Sequence, residues 1–80
     1  MLYQVKFNPV AAKNVVKAFK EIHARGVLHG DVRAENILVK KDNSVVVIDF
    51  ESSEMNADRN MLDAEEKQVK SLLEWWKQRR

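Results

Sequence analysis

At 80 residues with no cysteine, the chain makes one small domain that neither disulfides nor thiolate metal sites can hold together, so association is the remaining help for a marginal core. Fourteen Lys and Arg against twelve Asp and Glu leave a net charge of +2, interspersed except at Lys77, Arg79 and Arg80, which is too balanced for a nucleic-acid face. No apolar run approaches the roughly 20 residues of a membrane span and MLYQVKF lacks a signal-peptide layout, so a cytoplasmic protein without membrane contact is expected.

Residues 1–7 alternate apolar and polar from Tyr3 on, which predicts a short strand or an extended arm. Residues 8–26 carry helix punctuation at both ends: Asn8 as N-cap, Pro9 at the first helical position and Gly26 just past the last. Ala12, Val15, Val16, Phe19, Ile22 and His23 fall on one face at three-and-four spacing, so that face should cover a core. A loop over 27–36 leads to a β-hairpin over 37–50, where Ile37 to Lys40 and Val45 to Phe50 are rich in Val and Ile around KDNS. With Asp42 and Asn43 as the two central residues of a tight turn, Lys40 pairs with Val45, Leu38 with Val47, and Asn36 with Asp49. Residues 51–60 form a polar connector. A second helix runs over 60–79, its acidic residues Asp63, Glu65 and Glu66 early and its basic residues late, as the helix dipole favours. Leu62, Val69, Leu72, Leu73 and Trp76 mark its apolar face, and Asp63 with Lys67 and Glu66 with Lys70 form pairs four residues apart.

The chemistry concentrates in HGDVRAENILV, residues 29–39, and at the open end of the hairpin. Directly opposed residues of an antiparallel pair have Cβ atoms about 4.5–5.5 Å apart, so Asn36 and Asp49 can share one small hard cation such as magnesium. Two protein oxygens suffice if a nucleotide supplies phosphate oxygens. Asp31 can accept or orient the proton of an attacking hydroxyl, and Arg33 offers fixed positive charge to a transferring phosphoryl group or a salt bridge to a carboxylate such as Glu35. Taken one at a time, Asp31, Asn36 and Asp49 are ordinary turn and strand-end residues.

Together, HGDVRAENILV followed by VVVIDFE resembles the catalytic loop and metal-binding segment of the protein-kinase-like superfamily, whose pattern is H-x-D-x-K-x-x-N, two strands and D-F-G. The resemblance implies that His29 is the structural histidine of the loop, Asp31 the catalytic base, Arg33 the basic residue near the terminal phosphate, Asn36 and Asp49 the magnesium ligands, and Phe50 the packing aromatic. It covers about Asn8 to Ser53. Gly30 stands where many protein kinases carry the Arg that serves a phosphorylated activation loop, so that control is not expected. Glu51 stands where the last motif usually has Gly. No glycine-rich phosphate loop, strand lysine or partner glutamate precedes the first helix, so the nucleotide-covering lobe is expected to be missing.

The expected fold is α+β: helix, catalytic-type loop, β-hairpin and helix, like a stripped-down larger lobe of a kinase. The expected function is that of a kinase-like remnant that binds Mg2+ and ATP weakly and is inactive or weakly active alone. The alternative is a non-catalytic interaction module, because both hairpin faces are apolar and want cover, and Trp75 and Trp76, about 100° apart on a helix, cannot both face one core. A protein partner or self-association, as in a homodimer, is expected on that ground. A third possibility is an excerpt of a longer kinase.

Overall fold

Asn8 sets the first helix: its side-chain oxygen accepts from Val10 N–H (2.9 Å) and Pro9 occupies the first turn, where a missing N–H removes no bond. The computed structural model, which describes residues 1–79, shows helix α1 over Pro9–Ala24. It ends in a Schellman motif, with Gly26 at φ +73°, its N–H on His23 C=O (2.9 Å) and Val27 N–H on Ile22 C=O (3.3 Å). Ala11, Val15 and Phe19 are its buried residues, with Ala12 and Ile22 of the expected stripe packed at the border.

The hairpin pairs β1 (Ile37–Val39) with β2 (Val45–Val47) antiparallel, in the register Ile37 with Val47, Leu38 with Val46 and Val39 with Val45. That is one residue away from the expected pairing. The turn is longer than a two-residue turn: Asn43 N–H reaches Lys40 C=O (2.9 Å), Asn43 takes a left-handed φ of 68°, and Lys40 N–H then bonds Ser44 C=O (2.9 Å). Two side chains of the α1 end hold this bulge, since Asn8 Nδ2 donates to Asn43 Oδ1 (2.6 Å) and Asn14 Nδ2 to Asn43 C=O (2.8 Å). Asn36 therefore lies across from Ile48, whose N–H donates to Asn36 C=O (2.8 Å), and the direct pairing of Asn36 with Asp49 does not form.

Past β2 the chain turns sharply. Asp49 is left-handed (φ 63°) and Phe50–Ser52 makes one 3-10 turn. The connector is then zipped onto the loop ahead of β1: Leu28 and Glu54 exchange both backbone hydrogen bonds (2.9 Å each) and Ala57 N–H donates to Gly26 C=O (2.9 Å). Asp58 caps the second helix by accepting from Met61 N–H (2.9 Å), and α2 runs Arg59–Gln78, starting slightly earlier than its charges suggested. Asp63 pairs with Arg59 (3.4 Å), not with Lys67, while Glu66 and Lys70 do pair (3.9 Å). Arg80, the last of the terminal basic residues, lies outside the described residues.

At the N-terminus a single 3-10 turn, Leu2–Gln4, replaces an alternating strand because Leu2 is driven fully into the core. The rest of residues 1–7 is an extended arm, fastened where Trp76 Nε1–H donates to Val5 C=O (2.7 Å) and Phe7 meets the Trp76 ring edge-on at 4.9 Å. One core results, built from Leu2, Ala11, Val15, Phe19, Ala34, Ile37, Val69 and Trp76, each large side chain contributing about 1.5–3 kcal/mol by leaving water. The architecture is α+β. Among the described residues, no helix is long and apolar enough to cross a membrane.

Candidate functional site

Residues 27–36 form a loop that closes in one 3-10 turn, Ala34–Asn36, and His29, Asp31, Arg33 and Asn36 fix it through side-chain hydrogen bonds. His29 is fully buried. Its Nδ1 accepts from Asp31 N–H (3.1 Å), which places the ring proton on Nε2, and Nε2–H donates to Ile48 C=O (2.8 Å). One imidazole thus ties the loop to the end of β2, with Phe19 and Phe50 ring edges beside it at 6.0 and 4.7 Å.

Asp31, Arg33 and Asn36 are brought together. Arg33 Nε donates to Asp31 Oδ1 (2.6 Å), and Asn36 Nδ2 donates to both Asp31 C=O (2.8 Å) and Asp31 Oδ2 (3.1 Å). The salt bridge of Arg33 is thus to Asp31 and not to Glu35. Arg33, with help from Asn36, holds the Asp31 carboxyl below the usual carboxylate range, against a smaller opposing effect of burial. In turn the hydrogen bond to Asp31 holds the Arg33 guanidinium above its ordinary value, with weaker contributions from Glu35 and Asp49. The backbone of Asp49 stands one residue beyond the one opposite Asn36.

Both polar hydrogens of the Asn36 amide are spent on Asp31, so its Oδ1 faces away from that pair, and no other residue among those described bonds it. An amide oxygen and an exposed carboxylate, Asp49, are hard oxygen donors of the kind magnesium takes. They fit such an ion as two ligands only. Among the described residues no group of three His, Asp or Glu side chains converges to hold a metal by itself.

Glu65, expected only as an acidic residue suited to the start of α2, fixes the loop. This carboxylate on α2 is 3% exposed and takes three N–H donors: His29 N–H (2.9 Å) and His23 Nε2 (2.8 Å) on Oε1, and Gly30 N–H (2.8 Å) on Oε2. Burial pushes its pKa up, but the donors from Gly30, His23 and His29 outweigh it and leave the group below the usual carboxylate value. Its spacing contained the signal, because Glu65 stands in the Leu62, Val69, Trp76 stripe, where a charge is kept only if it is paired. The other unforeseen device is Gly30, at φ +90°, where a Cβ would overlap the backbone carbonyl of Ser52. Loop and connector touch there with no space for a side chain.

The sequence profile of the protein kinase domain matches residues 5–73. Serine/threonine-protein kinase ppk34 of Schizosaccharomyces pombe is 36% identical over 53 residues, which are 58% of this chain and 15% of that protein. Serine/threonine-protein kinase pim-2 of Danio rerio is 38% identical over 64 residues, 79% of this chain and 21% of that protein. A probable SapB synthase of Streptomyces coelicolor is 46% identical over 39 residues, 49% of this chain and 4% of that protein. The matched part is thus at most 21% of the length of these relatives. No solved structure matches the chain.

Proposed function

The chain belongs to the protein kinase domain family, and from that premise we propose that its residues 27–53 form the metal- and phosphate-handling part of a phosphotransferase site. The observation that carries the reading is the Asn36 amide, whose two hydrogens are both turned to Asp31 while its oxygen is left for a ligand. Asn36 Oδ1 and the Asp49 carboxylate would hold Mg2+, with ATP phosphates completing the shell. A magnesium ion so bound neutralises charge on the phosphate oxygens. Asp31 orients the acceptor hydroxyl through the carboxylate oxygen it shares with Asn36. Because Arg33 holds this carboxyl below its ordinary value, Asp31 is a weaker base than a free carboxylate and acts chiefly by position. Arg33 places its charge where negative charge develops on the transferring group.

Two protein ligands and no further phosphate-binding loop make this site weak in the 80-residue chain alone, so Mg-ATP binding in the millimolar range and residual or no phosphoryl transfer are expected. An amide-resolved NMR titration with Mg-ATP tests this. Shifts centred on Asn36, Asp49 and Arg33, lost in Asn36→Ala and in Asp49→Asn, support the reading. Saturating Mg-ATP that moves nothing there defeats it.

A second reading is an interaction module that associates with itself. It is favoured by the exposed apolar strip in which Val46 and Phe50, 37% and 41% exposed, flank a groove against Ile22 on α1.

A further inference from the structure

We infer that the groove between the N-terminal arm and the last turns of α2 is a docking site for an extended acidic peptide segment of a protein partner. The groove encloses about 760 Å3, within the roughly 300–1,000 Å3 typical of ligand sites. Lys6, Lys77 and Arg79 line it and, among the described residues, no acidic side chain does, while Tyr3 and Phe7 form its apolar walls over the buried Trp76. Three cations around an aromatic floor complement a segment in which acidic and apolar side chains alternate.

The backbone argues for a peptide rather than a small anion. Val5 (φ −114°, ψ 138°) and Asn8 (φ −140°, ψ 119°) are both extended, and neither helix nor turn lies between them. Val5 C=O is taken by Trp76 Nε1, but among the described residues the N–H and C=O groups of Lys6 and Phe7 make no hydrogen bond. An unpaired extended stretch of this kind can add a strand, with main-chain bonds giving affinity and alternate side chains reading the walls. Base stacking of a nucleic acid is disfavoured by the same walls. Trp76 is 1% exposed and already takes the edge of Phe7, and Arg79 lies over the Tyr3 and Trp75 rings at 5.9 and 5.2 Å.

The test uses the 80-residue chain and a capped decapeptide alternating Glu and Val, followed by amide NMR and tryptophan fluorescence. Binding that shifts the Lys6 and Phe7 amides is expected, weakened at least about tenfold by Lys77→Glu with Arg79→Glu and by high salt. Because Arg79 also stacks on two rings, Lys6→Glu is the second variant. Lys6 makes no cation–π or hydrogen-bonded contact among the described residues, so the circular dichroism of this variant should match the parent, and it should weaken the peptide in the same direction. Equal binding of a decapeptide with Lys in place of Glu overturns the proposal, as does oligothymidylate shifting these amides where the acidic peptide does not. Absence of any shift with millimolar acidic peptide overturns it too.

Discussion

Glu65 is the residue on which the loop's geometry depends most directly. Glu65→Gln keeps one acceptor oxygen but aims an amide N–H2 at a backbone donor of His29 or Gly30, so a loss of about 1–3 kcal/mol is expected from urea unfolding. Its folded pKa is depressed, so its stabilisation is present in full above the ordinary carboxylate value, about 4.3, and is lost as pH falls through the lower folded value. In Glu65→Gln that part of the acid sensitivity should vanish. A parent and variant with equal slopes of stability against pH below that value would refute the assignment. Gly30 makes a different demand. Gly30→Ala must relieve a left-handed backbone and an overlap with Ser52 at once, which points to a loss of about 1–3 kcal/mol in thermal unfolding together with faster amide exchange at Leu28 and Glu54. Unchanged exchange at those two amides would show that loop and connector do not depend on this contact.

At the level of elements, the hairpin was recognisable and its register was not. Val and Ile around KDNS identify two strands, but whether the turn spends two residues or three depends on Asn43, which Asn8 and Asn14 hold in a left-handed bulge from outside the hairpin. Those two residues are 35 and 29 positions away in the chain, and no local pattern reports them. Asn43→Ala should cost about 2 kcal/mol, from roughly 1 for a left-handed Cβ and 1 for the lost side-chain bond. Asn43→Gly should cost only the second part. Denaturant midpoints for the two variants decide it, and an alanine variant no less stable than the glycine variant would mean the bulge is not strained. The helices were legible because their signals are local. Asn8, Pro9 and Gly26 punctuate α1 and the apolar stripe of α2 is regular, although α1 turns Ala11 inward with Val15 and Phe19. The arm was only half legible: alternation in residues 3–7 allowed a short strand or an extended arm, and burial of Leu2 with the Trp76 bond to Val5 leaves the arm.

At the scale of the whole molecule, the surface feature that stands out is the exposed apolar strip of Val46 and Phe50. Trp75, at 46% exposed, sits at the border of its helix stripe as the 100° spacing required, and Arg79 screens it. Phe50 and Val46 have no such screen among the described residues. If the second reading holds, sedimentation at rising concentration should show a monomer–dimer equilibrium that Phe50→Ser shifts toward monomer. A monomer at every concentration would leave self-association without support. Asp31, Arg33 and Asn36 are joined by side-chain hydrogen bonds, while the expected cross-strand pairing of Asn36 with Asp49 is replaced by one of Asn36 with Ile48.

The sequence by itself determined the two helices, the hairpin, the α+β class and the family, because caps, periodicity and the spacing of HGDVRAEN and IDF act over a few residues. Only the tertiary structure decided the hairpin register, the buried role of Glu65, the close approach of Gly30 to Ser52 and the groove beside the arm. Each of these arises where segments remote in sequence compete for the same donors or the same space, and that competition is settled by packing.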